Sequence, residues 1–235
     1  LIDKTYPIAL LPLGTANNIG KSLKLPETDT AIMDAWQQEE LRKFDVGVIY
    51  NLDEPHFFLE SFGFGVFPNL MNEMKKRDKT SSGSPEEELI VALKLLKKII
   101  SAYNARQCDI VLDGVKHSGK YLMVEVMNTP SIGPNLLINP ISDTADEKFE
   151  IVLIQESEKD QLIQYIDDKI NGKENAFFAK ALRGKYLTIS WDGVHGHIDD
   201  QLIKLERSFP IEIRLHENLL KFMVPKPLNP LEPTA

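Results

Sequence analysis

The sequence predicts an α+β fold, with a β-rich domain beyond a boundary between Pro26 and Lys43 and a short α/β segment ahead of it. Three observations carry this. From Cys108 onward the chain is a series of short apolar stretches separated by turn residues, the pattern of consecutive strands. Only two long stretches, one after Ser84 and one after Ser157, combine helical spacing with helix-start signals. The apolar run Tyr6-Pro7-Ile8-Ala9-Leu10-Leu11 passes through Gly14 into a helix expected to begin near Thr15, a strand–turn–helix step.

Each element follows from its local chemistry. Phe44 to Tyr50 alternates and reaches the turn residues Asn51, Asp53 and Pro55, and the run His56 to Phe62 completes an expected hairpin. Gly63 and Gly65 interrupt the next stretch, where backbone can approach closely or bulge. Lys79 to Ser84 is expected to be a loop. Ser84-Pro85-Glu86-Glu87 then starts a helix with an N-cap, a proline in the first turn and a capping box, and Leu89, Leu93, Leu96 and Ile100 form its apolar stripe. Lys94, Lys97 and Lys98 lie off that stripe, as a solvated face would. Cys108 to Leu112 and Gly119 to Asn128 flank Asp113-Gly114 and an expected exposed connection through His117. After the strand Phe149 to Ile154, Ser157 to Asp160 reads as a second capping box, and that helix stops at Asn171-Gly172. Tyr186 to Trp191, Ile198 to Ile203, Pro210 to Leu215 and Leu219 to Val224 read as closing strands, and the prolines at 227, 230 and 233 as an irregular tail. The expected division is residues 1–40, 41–225 and 226–235.

With 235 residues, 43% hydrophobic and 26% charged, the chain has the composition of a globular protein. It contains no apolar run near the ~20 residues of a membrane span. A net charge of −8 argues against a nucleic-acid partner. The single Cys108 excludes an internal disulfide and fits a reducing, cytoplasmic compartment. Lys75 to Lys79 offers one local basic cluster, read first as a solvated helix end and second as a peripheral contact to a membrane surface.

The first candidate site is the run Pro12-Leu13-Gly14-Thr15-Ala16-Asn17-Asn18. A helix start presents unpaired N–H groups and a positive dipole end, which suit a phosphate, and Thr15, Asn17 and Asn18 add side-chain donors. This run, followed by Ile19 to Leu23 and Leu25-Pro26, resembles the second nucleotide-lobe motif of the diacylglycerol kinase catalytic family. That family includes bacterial soluble lipid kinases and sphingosine kinases. Further landmarks occur in the family's order: Phe44-Asp45-Val46-Gly47, Phe62-Gly63-Phe64-Gly65, Val126-Met127-Asn128, Asn139-Pro140, and a closing hairpin from Pro210 to Pro225. The related NAD kinases share the nucleotide lobe, but the closing strands here favour the lipid branch.

The resemblance implies that residues 1–40 belong to a nucleotide-binding lobe and 41–225 to a β-sandwich domain. It implies a lipid kinase that transfers the γ-phosphate of ATP, with Mg²⁺, to a lipid hydroxyl at a membrane surface, and it leaves room for a homodimer. Gly14, Thr15, Asn17 and Asn18 would contact nucleotide. The family's Gly-Gly-Asp-Gly-Thr loop is absent from the sequence, so this chain is expected to be inactive by itself. The family's Asp-Gly-Glu run corresponds to Asp199-Asp200-Gln201, which makes Asp199 and Gln201 the expected catalytic positions. On a strand those two would share the cleft side and Asp200 would face away. A glutamine cannot accept a proton, so a second reading is a non-catalytic relative that binds nucleotide or lipid. Asp143 and Asp146 stand where some members hold a metal, with Glu147 in place of the family's glycine. A third reading, independent of the resemblance, makes His195 and His197 metal ligands with Asp199, because i and i+2 on a strand share a face.

Overall fold

The computed structural model describes residues 6–26, 29–36, 40–77, 84–175, 177–205 and 210–226. The expected loop ahead of Ser84 and the proline-bearing tail lie outside these residues. Two short helices, α1 (Asn18–Ser22) and α2 (Asp29–Trp36), precede β1 (Glu40–Tyr50), β2 (His56–Phe58) and β3 (Ser61–Gly65). Helices α3 (Val66–Lys76) and α4 (Pro85–Ala102) follow, then β4 (Arg106–Leu112) and β5 (Val115–Met127). The small pair β6 (Ser131–Ile132) and β7 (Leu136–Leu137) comes next, then β8 (Phe149–Gln155) and, after a 3₁₀ turn, α5 (Lys159–Ile170). The chain continues through β9 (Lys180–Gly184), β10 (Tyr186–Trp191), β11 (His195–Ile198), β12 (Gln201–Lys204) and β13 (Ile211–Val224).

Eleven strands form one sheet in the order β12-β11-β3-β5-β4-β10-β13-β1-β2, with β8 and β9 branching from β5. The pairings between these strands are antiparallel. Long β5 pairs β4 along residues 115–121 and β8 along 121–127, and β3 lies along 123–127. One face encloses Phe58, Phe62, Phe64, Val124, Val126 and Phe149. The other is covered by α3, α4 and α5 through Met123, Met127, Val152, Leu96 and Ile166. A third cluster packs Leu23, Ile8 and Ile19 onto Phe44 and Phe222 of the β1–β13 ribbon. At about 1.5–3 kcal/mol for each fully buried large apolar side chain, these clusters dominate the driving force for folding.

Several elements follow the sequence reading directly. Ser84 accepts from the Glu87 N–H while the Glu87 carboxylate accepts from the Ser84 N–H, so α4 starts with the expected capping box and Pro85 in its first turn. Asp113 (φ 46°) and Gly114 (φ 85°) make the two-residue turn that sets the β4–β5 register.

Others differ. The expected strand Tyr6 to Leu11 is a half-exposed extended segment with a single parallel bridge, Ile8 to Phe222, because β13 is the one strand beside it among the described residues. Val66–Lys76 is a third long helix. It follows strand β3 through Gly65 (φ 98°), where a Cβ would lie 2.1 Å from the Leu122 carbonyl oxygen, so only glycine fits. Residues 115–118 extend β5 rather than forming an exposed connection. The second capping box pairs Gln155 with Glu158 at the 3₁₀ turn, not Ser157 with Asp160. Lys97 reaches the Asp167 carboxylate of α5 at 2.6 Å, so that lysine ties two helices together rather than facing solvent alone. The expected closing hairpin is one continuous strand, β13, bulged opposite Asp45; the Asn218 N–H turns inward to the Asp45 carboxylate at 2.7 Å. Finally, Ile198 to Ile203 is a hairpin with Asp199 and Asp200 at its turn.

Candidate active site

The last of these differences, the hairpin turn at Asp199, builds the site. The apolar run His56 to Phe62 splits at Leu59 and Glu60 into β2 and β3, and the N–H groups freed at the split turn to Asp199. Asp199 Oδ1 accepts from Glu60 at 2.8 Å, Ser61 at 3.1 Å and Leu59 at 3.2 Å, and Oδ2 accepts from Leu59 at 3.0 Å. Its own N–H donates to the Ser61 carbonyl at 2.8 Å. With φ 48°, Asp199 is a left-handed turn residue, so strand alternation stops at Ile198 and does not place Asp199 beside Gln201. Asp200 and Gln201 are both exposed. Burial lifts the Asp199 carboxyl above the ordinary range, and the three N–H groups pull it back down.

Glu60, at the split, faces the N-terminal segment. Its Oε1 accepts from the Asn18 amide at 2.9 Å and from the Gly133 N–H at 3.3 Å, and the same Asn18 amide donates to the Gly133 carbonyl at 3.2 Å. Burial pushes the Glu60 carboxyl up to about 7, with the nearby Asp199 charge adding to it and the Asn18 and Gly133 donors opposing. Sequence reasoning passed over Glu60. The available signal was a lone carboxylate inside the apolar run Phe57-Phe58-Leu59-Glu60-Ser61-Phe62.

Behind this rim lies a second acid in an apolar strand. On β3, Phe62 and Phe64 face the first core, so Gly63 faces the helices, between Glu125 of β5 and His197 of β11 in register. With no side chain at 63, the two neighbours meet over it: His197 Nε2 lies 2.8 Å from Glu125 Oε2, both side chains fully buried. His197 Nδ1 donates to the Asp199 carbonyl at 2.9 Å, and the Phe67 ring packs edge-on against the imidazole at 4.8 Å. Desolvation opposes charge on His197, but the Glu125 carboxylate and the bonds to Glu125 and Asp199 outweigh it and raise its proton affinity. Burial likewise raises Glu125. A continuous polar path therefore runs from Glu125 through His197 and Asp199 to the turn that carries Glu60.

The remaining sequence candidates fall as follows. Gly14 and Thr15 are exposed on the bend before α1, and Asn17 is its left-handed N-cap (φ 53°) with no side-chain cap bond. Asn18 is buried, and its amide docks the helix onto the β-rich domain. Asp143 takes the Arg42 guanidinium at 2.9 Å, and Asp146 takes that of Arg183. Both carboxylates are thus engaged by arginines. The described residues contain no cluster of three or more His, Cys, Asp or Glu able to hold a metal. Both ring nitrogens of His197 are engaged and His195 is exposed, so this pair does not form the ligand set read from their spacing. Cys108 is fully buried and its thiol is pushed up to about 12, an inert core residue. Two surface grooves, one between α3 and α4 beside Lys98 and one on α5 beside Tyr165, share no residue with this site. No helix among the described residues is long and apolar enough to cross a membrane.

A curled antiparallel sheet with helices on one face, joined through Glu60, an apolar cluster and one parallel bridge to a short N-terminal segment, matches known proteins at both ends. The sequence profile of the YegS C-terminal NAD kinase beta sandwich-like domain matches residues 80–201, and that of the diacylglycerol kinase catalytic domain matches residues 1–49. The chain belongs to this diacylglycerol-kinase-like, YegS-type family. A solved structure of a diacylglycerol kinase from Bacillus anthracis str. Sterne is similar at TM-score 0.64 and 17% identity, over 91% of this chain and 67% of that one. Two further structures from the same organism match at TM-score 0.65 and 16% identity, over 91% and 92% of this chain and 66% and 67% of theirs. At such identity the likeness is one of fold. The chain spans about two thirds of the length of these structures. No curated protein matches it.

Proposed function

We propose that this chain is the major part of an ATP-dependent lipid kinase of the diacylglycerol kinase type, transferring the γ-phosphate of ATP to a lipid hydroxyl. One observation carries the reading. The segment that matches the kinase catalytic domain is clamped to the β-rich domain by the Asn18 amide, and the carboxylates Glu60 and Asp199 sit at that clamp. Phosphoryl transfer between nucleotide and alcohol is chiefly positioning and charge stabilisation, so a rigid polar seam between two halves suits it.

In this reading Gly14, Thr15 and Asn17, which are open on the bend before α1, face the nucleotide phosphates. Asn18 fixes that bend to the β-rich domain. Asp199 fixes the Leu59–Ser61 turn on the acceptor side, and Gln201 is exposed at the start of β12. The test is transfer of labelled phosphate from ATP–Mg²⁺ to a panel of lipids by the full-length protein. Label on one lipid class supports the proposal. Nucleotide binding without label on any lipid overturns it in favour of a non-catalytic relative, the reading that Gln201 in place of an acid would then explain.

A further inference from the structure

His197 and Glu125 are fully buried beside the site, and the function proposed above uses neither. Burying an acid and an imidazole is costly unless each is paired. Four elements keep the pair in place: Gly63 of β3 leaves the space where it meets, β5 carries Glu125, β11 carries His197, and Phe67 of α3 closes over the imidazole. The contacts also fix which ring nitrogen faces which partner. A carbonyl oxygen only accepts, so Nδ1, 2.9 Å from the Asp199 carbonyl, carries a proton. Nε2 faces Glu125 Oε2 at 2.8 Å with one proton between them, whichever atom holds it. Glu125 thus steadies the far edge of the ring, and the near edge donates to Asp199.

Asp199 needs such a hold. At φ 48° it lies in the left-handed region, where a residue with a Cβ stays only when its surroundings keep it there. Its N–H and its carboxylate tie it to the β2–β3 turn, and its carbonyl is tied to His197. Glu60 of that turn holds Asn18, and Asn18 opens α1 directly after the bend that carries Gly14, Thr15 and Asn17. A shift of the Asp199 carbonyl would therefore pass to the turn, and from the turn to the bend.

Resting on the lipid-kinase reading, we propose that His197, oriented by Glu125, is a positioning residue whose Nδ1–H holds the Asp199 carbonyl and so sets the Asp199 turn against the nucleotide-facing bend. Neither buried side chain touches a substrate, and both act through Asp199. Phosphoryl transfer depends on alignment, and a misplacement of about 1 Å can cost about 10²-fold in rate. A side chain that only fills the space beneath Phe67 needs bulk but no particular nitrogen. A positioning residue needs the Nδ1 donor.

The two nitrogens can be replaced one at a time in the full-length protein. The amide N–H of His197→Asn stands near Nδ1 and keeps the donor to Asp199 while losing Glu125. That of His197→Gln stands near Nε2 and keeps Glu125 while losing Asp199. Each variant gives up one buried hydrogen bond, so both should melt below wild type. His197→Gln is expected to lose about 10–10²-fold in kcat for lipid phosphorylation with KM values within a factor of a few, whereas His197→Asn keeps kcat within about threefold. Amide hydrogen exchange reads the same hold without any lipid: protection of the Leu59, Glu60 and Ser61 N–H groups should fall in His197→Gln and persist in His197→Asn. Rates and protection that fall alike in both variants, or simply follow their melting temperatures, reduce the pair to packing and overturn the proposal. A measurement on wild type needs no variant to fold: ¹⁵N NMR of histidine-labelled protein should show a protonated Nδ1 at neutral pH, and a bare Nδ1 overturns the proposal outright. Wild-type protein that phosphorylates no lipid overturns the lipid-kinase reading, and the exchange pattern then decides by itself whether His197 holds the turn.

Discussion

Replacing Gly63 by alanine tests the geometry behind the seam, and its magnitude can be worked from distances. A Cβ at 63 would lie 2.0 Å from Glu125 Oε2, 2.2 Å from its Cδ and 2.5 Å from Oε1, where ordinary contact begins near 3.4 Å. The carboxylate must retreat by more than an ångström, and it is the end of a fully buried side chain. The Gly63 backbone cannot yield instead, because it is paired to His197 on one side and Glu125 on the other. Retreat breaks the 2.8 Å contact with His197. Overpacking of this kind costs about 1–3 kcal/mol and breaking a buried ion pair about 3–5 kcal/mol. Both follow from a single displacement and are not additive, so about 3–5 kcal/mol is expected. For a chain of this size each kcal/mol moves Tm by about 2–4 °C, which makes a fall of at least ~6 °C. The assay is a thermal or urea melt followed by circular dichroism. In a Glu125→Ala background the space is empty and the cost of Gly63→Ala should drop below about 1 kcal/mol. A Gly63→Ala protein that melts within about 2 °C of wild type would refute the packing described above.

Three other outcomes follow from the same contacts. Glu60 titrates near 7 in the folded chain against 4.5 when unperturbed, so the folded state binds more protons between those values and stability is lost as pH rises from about 4.5 to about 7. Urea melts of wild type and Glu60→Gln should therefore diverge across that window, with wild type the weaker at pH 8, and parallel curves would contradict it. Asp199→Asn puts an NH₂ group among three N–H donors and should cost about 2–3 kcal/mol in urea melts, together with loss of phosphate transfer. Glu147 occupies a left-handed conformation (φ 61°), so Glu147→Gly should be neutral or stabilising by up to about 1 kcal/mol, read from the urea midpoint, despite losing the Lys185 ion pair at the surface.

What the sequence made legible was local. Ser84-Pro85-Glu86-Glu87 specified the start of α4 and Asp113-Gly114 the β4–β5 turn, because each signal lies within four residues of its consequence. Asn18 and Asp199 were marked as site residues, although their bonds go to the β-rich domain and to backbone rather than to open cleft. Glu60, Glu125 and Gly63 were not assembled into a site, since the meeting of Glu125 and His197 depends on the register of β11, β3 and β5 across 72 residues of chain. The end of helix α3 was read at Lys75 to Lys79, but its start was missed for a related reason. Gly65 reads as an interruption of a strand, and its positive φ, which turns the strand straight into a helix, is invisible in the sequence. Likewise Glu217-Asn218 looks like a hairpin turn, and only the buried Asp45 opposite converts it to a bulge.

The most direct measurement is incorporation of label from γ-labelled ATP–Mg²⁺ into lipid extracted from mixed vesicles, using the full-length protein. One vesicle set carries diacylglycerol or a related lipid alcohol, and the other carries the same lipid with its hydroxyl methylated. The account predicts label in the lipid phase only where the hydroxyl is free. No label in either set, from protein that still binds the nucleotide, would contradict it.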